Sequence, residues 1–167
     1  MQSPSRSDDL PRTVAELLAL VARERGAIEQ AVAGLSDDAL AAQSDGWSPK
    51  DHLAHVAAWE RRLVAEVQGE TAASRFMMDQ ATWDAADSES VNAMLHARHH
   101  DEPPATVLAD FRASGGALRA LLATLTDSDL LQPVRPDDPD VDSLVELIAW
   151  DTFRHYPEHA RALTGQG

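Results

Sequence analysis

The sequence predicts an all-α protein, specifically a four-helix bundle, and three observations carry that expectation. Hydrophobic residues make up 44% of the 167 positions but aromatic residues only 5%, and most of the apolar content is Ala and Leu. Such a balance favours helix over sheet. Four long segments repeat apolar residues every three or four positions, and no segment shows the alternation of a half-buried strand. Recognisable helix starts and stops bound these segments.

The first helix is expected over about Pro11 to Ala33, where Val14, Leu17, Leu18, Val21, Ile28 and Val32 share a face and Gly34 closes the segment. A short turn follows at Ser36 to Ala42. The second helix starts at Ser48-Pro49-Lys50-Asp51, with Ser48 as cap, Pro49 at the first helical position and Asp51 reaching back, and it runs to Gly69. A long connection, Glu70 to Pro104, contains one predicted helix from Ser88 to Ala97, where Val91, Met94 and Leu95 coincide. The third long helix spans Pro104 to Leu125; Gly115-Gly116 in its middle predicts a bend or a close helix contact. After a turn at Asp127 to Leu131 and an irregular loop at Pro133 to Asp140, the fourth helix begins with the capping box Ser143-Leu144-Val145-Glu146 and continues to Leu163. The length suits a single domain over 1–167, with the polar residues 1–9 disordered. The long link between the second and third helices permits a crossover.

A formal charge of −14 with only 14 Lys and Arg excludes a nucleic-acid-binding surface and disfavours an anionic membrane. No stretch approaches the roughly 18 apolar residues that span a bilayer, and no apolar signal core opens the chain. With no cysteine, disulfides, thiolate metal sites and a Cys nucleophile are excluded, which is compatible with a reducing cytoplasm.

The histidines hold the chemistry. His155 and His159 are four apart on the last helix, so two imidazoles project from one face. His55 lies among apolar residues in the second helix, and three imidazoles with an open fourth position suit a divalent metal. Asp51 and Asp151 each stand four residues before one of these histidines, where a carboxylate can orient a ring. The plainer alternative is a pair of favourable cations near a helix C-terminus. Pro157 falls between His155 and His159 and predicts a kink there. His96 and His100 repeat the four-residue spacing, but Arg98, Asp101 and Glu102 make that stretch read as a solvated helix end. His52 points into the same cavity as His55 or to its rim.

The stretches Gly46 to Glu60 and Asp151 to His159 resemble the helix-two and last-helix motifs of the DinB-like superfamily. That superfamily includes the N-terminal domain of mycothiol-dependent maleylpyruvate isomerase and the colibactin-resistance (ClbS/DfsB) branch. Val91-Asn92-Ala93 and Val107 to Leu131 resemble the latter, so the resemblance runs from about Leu10 to Leu163. It implies an up-down-down-up bundle, a homodimer, and a divalent ion (Zn, Ni or Fe) on His55, His155 and His159. It implies an enzyme of detoxification or stress, a hydrolase or thiol transferase acting on a small electrophile or thiol adduct, with a low-molecular-weight thiol as possible co-reactant. Three neutral imidazoles leave an ion its charge, which lowers the pKa of bound water toward ~7 or activates a thiolate. Trp59 is the candidate pocket wall and Glu60 the candidate acid–base residue. The alternatives are a non-enzymatic binding or sequestering protein and a stress protein with a vestigial site.

Overall fold

The computed structural model describes residues 9–44, 46–70, 76, 79–134 and 141–165. Residues 1–8 of the stretch expected to be disordered, and most of the loop at 133–140, lie outside the described residues. Helix α1 (Val14–Val32) opens on a capping box: Thr13 Oγ1 accepts from the Glu16 amide and Glu16 accepts from the Thr13 amide, both at 3.2 Å. It stops before Gly34, whose φ of 80° is the left-handed turn that glycine tolerates without strain. After α2 (Asp37–Ala41), α3 (Pro49–Val67) starts as expected, with Asp51 Oδ2 accepting from the Ser48 amide at 2.8 Å.

The long connection holds α4 (Gln80–Ala85), capped by Asp79, and α5 (Ser88–His99), capped by Asp87. The sequence reading missed α4, because six residues are too few to display a helical apolar repeat. Helix α6 (Pro104–Leu122), a 3-10 turn (Asp129–Leu131), α7 (Leu144–Asp151) and α8 (Tyr156–Thr164) complete the described elements. The protein is all-α: an isolated bridge between Ser44 and Trp47 is the sole β-type pairing among the described residues. No helix among them is long and apolar enough to cross a membrane.

Two expectations about the last helical segment are corrected. The capping box at Ser143 is shifted: Glu146 accepts from the Asp142 amide at 3.1 Å, and Ser143 makes no side-chain cap bond. More consequentially, the segment is two helices, interrupted at residues 152–155. A proline ring clashes with the carbonyl four residues earlier and brings no N–H, so Pro157 disrupts the helix around Phe153, upstream of itself. The Arg154 amide bonds the Ala149 carbonyl, five residues back, and the Thr152 carbonyl accepts from both His155 and Tyr156 at 2.8 Å. Thr152 takes φ −128° and ψ −105°, and His155 becomes the N-cap residue of α8.

Helix α3 packs chiefly on α6, and α1 on α8. Their shared core includes Leu17, Ile28, Leu53, Phe111, Leu118 and Ile148, each at most 2% exposed. A smaller cluster (Ala58, Phe76, Val91 and Leu95, with Trp59 and Trp83 against it) seals the connection onto α3. Inside the main core lies a charged pair: Arg25 of α1 donates through Nε to Glu60 of α3 at 2.9 Å. Arg25 also donates to the Phe111 carbonyl, while Ser114 and Tyr156 donate their hydroxyls to Glu60. Gly115 makes the room, since a Cβ there would overlap the Arg25 guanidinium. This is the close helix contact that the glycine pair predicted.

The two glycines should therefore respond oppositely. Gly115→Ala displaces Arg25 and should cost about 1–3 kcal/mol as an overpacked site. Gly116→Ala, with open space around it, should gain up to about 1 kcal/mol from helix propensity. Urea unfolding of both variants checks the contrast, and equal midpoints would contradict the packing. Glu60→Gln removes the buried counter-charge of Arg25, leaving the half-exposed Glu29 as its carboxylate partner, and should lose up to about 3 kcal/mol by the same assay.

Candidate metal centre

His55 stands in the middle of α3, where the stripe Leu53, Val56, Ala57 and Glu60 turns inward, and it is 5% exposed. His155 caps α8, and His159 follows one turn later, still on the same side because His155 keeps a helical backbone of φ −90° and ψ −44°. The interruption thus preserves the four-residue spacing. His155 Nε2 lies 3.0 Å from His55 Nε2 and 2.8 Å from His159 Nε2. The three nitrogens converge within 4.8 Å of one another.

Burial holds all three rings neutral. It pushes His55 down to about 3, with the neighbouring His155 and His52 adding to the effect. The His155 and His159 values are lowered as well, again by burial first. A neutral imidazole has one N–H and one lone pair. A hydrogen bond to the Asp151 backbone favours the charged form of His155, so His155 is the donor there. Its proton then sits on the nitrogen away from the cluster, and a single Nε2 lone pair faces two other ring nitrogens. On the far side of His159, Nδ1 lies 3.0 Å from Nδ1 of His52, so one of these two rings donates there and the other accepts. With its proton on Nδ1, His159 also presents a bare Nε2. His55 Nδ1 is buried without a hydrogen-bond partner. Three neutral rings cannot all donate into this cluster and leave no lone pair over, and a cation at its centre would satisfy all three Nε2 lone pairs together. At ion–nitrogen bonds of about 2.0–2.1 Å, tetrahedral ligands stand about 3.3 Å apart, so small outward movements accommodate an ion. The donor set fits a divalent transition metal.

These histidines line a cleft of about 1770 Å³. All four tryptophans of the chain, Trp47, Trp59, Trp83 and Trp150, line it too. Trp59 Nε1 donates to Asn92 at 3.2 Å, its ring packs on Phe76 at 5.5 Å, and it stands 6.1 Å from the His55 ring. Trp47 lies edge-on to His55 at 5.6 Å. It also packs on His52, five residues on, and on His96 from the long connection, a pairing that no local sequence signal could have revealed. His52, left between cavity and rim, both lines the cleft and holds His159.

Three expected roles change. Glu60 is fully buried and not part of the cleft wall; Arg25, Ser114 and Tyr156 engage its oxygens, so it is not positioned as an acid–base group facing a ligand. The signal was present, since Glu60 falls on the apolar stripe of α3. The Asp151 carboxylate takes a charged hydrogen bond from Arg62, and the bond that holds His155 comes from the Asp151 backbone. Asp51 bonds Ser48 and His100, on the other side of its helix turn from the role expected beside His55.

A histidine held neutral in the fold and free to charge when unfolded makes stability depend on pH. Between the folded value of about 3 and the ordinary 6.5 for His55, the unfolded chain binds protons that the fold excludes. Stability is then complete above pH 6.5 and falls as the pH drops toward 3, by up to about 1.4 kcal/mol per pH unit for each such histidine. Urea midpoints of chelator-treated protein should drop between pH 7.5 and 5, less steeply in His55→Gln. A flat profile in the unsubstituted protein would contradict the burial argument.

Comparison with known proteins agrees with this architecture. A family model described as the DinB superfamily matches residues 20–159. Among solved structures, an uncharacterised protein from Escherichia coli UTI89 is 14% identical, with a TM-score of 0.70 and 95% of each chain covered. A Streptococcus pneumoniae protein is 12% identical, with a TM-score of 0.75 over 96% of this chain and 94% of that one. A structure titled Sibling Lethal Factor Precursor, DfsB, is 12% identical with a TM-score of 0.73, over 92% and 94%. At these identities the structures speak for the fold alone. No curated protein matches the chain. With the family model spanning both histidine segments, the chain belongs to the DinB superfamily.

Proposed function

We propose that this protein is a metal-dependent enzyme that holds one divalent ion on His55, His155 and His159 and acts on a small electrophile or thiol adduct in the adjoining cleft. The observation that carries the reading is the convergence of three neutral imidazoles, two buried and one half-buried, on one point of a tryptophan-lined cleft. The bound ion would supply Lewis acidity, which activates water for hydrolysis or a low-molecular-weight thiol for transfer. The chain's own part is orientation: His52 fixes the His159 ring, and the Asp151 backbone fixes His155. Trp47 and Trp59 wall the site with apolar surface and reduce its access to water. Asp151 and Glu158 are carboxylates on the cleft wall, and Arg62 beside them brings a compensating charge. Zn, Ni and Fe are all compatible with imidazole ligands. A homodimer in the cytoplasm belongs to the same reading, consistent with a cysteine-free chain.

A second reading rests on the four tryptophans. A cleft so lined buries a flat apolar molecule well, and a protein that sequesters such a ligand needs no acid–base group where Glu60 was expected. Metal content separates the two. Elemental mass spectrometry of tag-free protein should find about one divalent ion per chain at this centre, lost in His155→Ala. A folded protein that stays empty after reconstitution with Zn, Ni and Fe would end the metalloenzyme reading and leave the sequestering one.

A further inference from the structure

We propose that Asp51, His96 and His100 form a second divalent-metal site, separate from the three-histidine centre, which takes a first-row transition ion such as Zn²⁺ through two imidazoles and one carboxylate. His96 lies in the last turn of α5, His100 is its C-cap residue, and Asp51 faces them from the first turn of α3. One donor atom from each residue lies within 4.8 Å of the others. His100 Nδ1 is 3.2 and 3.3 Å from the two Asp51 oxygens, and His96 Nε2 is 3.6 Å from Oδ2.

The distances alone would describe a histidine pair leaning on a carboxylate. His96 Nε2 argues for more. It is buried and has no hydrogen-bond partner, and 3.6 Å to Asp51 is too long for one. A buried nitrogen left unsatisfied costs free energy, and an ion between it and Asp51 would satisfy both. The carboxylate has capacity to spare. Oδ2 accepts from the Ser48 amide at 2.8 Å and from its hydroxyl at 2.6 Å, but a carboxylate offers about four lone-pair positions. At His100, Gln43 Nε2 lies 3.0 Å from Nε2 and donates to it, which leaves the ring proton on Nδ1 toward Asp51. Ion binding at Nδ1 displaces that proton, and a turn of the Gln43 amide that lets its oxygen accept from Nε2 supplies the matching tautomer.

Two features set the character of the site. Lys50 Nζ lies 3.5 Å from Asp51 Oδ1 and also donates to the His100 carbonyl, so a resident cation competes and the site should bind more weakly than the three-histidine centre. The Trp47 ring stands 5.0 Å from His96 and 5.6 Å from His55, so one indole touches both sites.

The test is a Zn²⁺ titration of the chelator-stripped full chain against a chromophoric competitor. Two ions per chain are expected for the wild type. One is expected for His155→Ala and one for the combined His96→Asn and His100→Asn variant, with circular dichroism to confirm folding. If the combined variant binds as many ions as the wild type, the second site is overturned. If instead His155→Ala changes nothing while the combined variant loses its ion, the proposal here stands and the three-histidine reading fails. A readout that needs no variant is the histidine ring resonances of the wild type. The signals of His96 and His100 should shift with the weaker equivalent of Zn²⁺, and their constancy through saturation would overturn the site.

Discussion

A charged pair sealed among hydrocarbon, Arg25 on α1 against Glu60 on α3, is the constraint around which the helices are arranged. Neither group can be left unpaired, because an isolated buried charge costs several kcal/mol. Glu29 of α1 also pairs with Arg25, and two further elements complete the network: the Phe111 carbonyl and Ser114 hydroxyl of α6, and the Tyr156 hydroxyl of α8. Four elements are thereby referenced to one point. Tyr156 adjoins His155 in sequence, so the network that closes the core also sets where α8 begins. The orientation of His155 follows from a salt bridge that does not line the cleft.

The break between α7 and α8 is the second half of the same device. A continuous helix from Leu144 onward would carry Tyr156 and His155 along one rigid axis. The interruption at 152–155 lets the chain re-enter a helix with Tyr156 turned into the core and His155 and His159 turned toward α3. Thr152 stabilises the turn, since its hydroxyl bonds the Ile148 carbonyl and its own carbonyl accepts two amides. Pro157 makes the interruption obligatory by removing the N–H that would have bonded Phe153.

The sequence was most legible where local chemistry decides structure. The cap at Ser48, the glycine stop at Gly34 and the apolar spacing of α1, α3 and α6 each act within a few residues, and each was where it was expected; the Thr13 cap, two residues past the expected start at Pro11, was not read. His55, His155 and His159 were legible through spacing and family likeness together. What escaped was of two kinds. The convergence of Trp47, Trp83 and Trp150 on one cleft depends on tertiary packing and leaves no local trace. Arg25 and Glu60 did leave one: both fall on apolar stripes, Arg25 between Val21 and Ile28 and Glu60 between Ala57 and Leu63. Two opposite charges on the buried faces of two helices are a pairing signal, and reading Glu60 as a solvent-facing acid overlooked its partner. Pro157 was recognised as disruptive but located wrongly, because the clash acts four residues upstream of the ring.

Helix α3 therefore does three different jobs on three sides. It presents Glu60 to the core, His55 to the cleft and Asp51 to α5. A helix with twelve buried residues out of nineteen has almost no solvent face left, and it depends on the connection between α3 and α6 to cover what the bundle does not. The Phe76, Val91 and Leu95 cluster supplies that cover, and it brings Asn92 to Trp59 and His96 to Trp47. The long connection is thus part of the cleft wall as well as a link. A change in how it sits would alter the cleft while leaving the Arg25–Glu60 core as it is, because the two clusters meet α3 on different faces. Such separation allows a bundle of fixed geometry to present differently shaped clefts around the same trio of histidines.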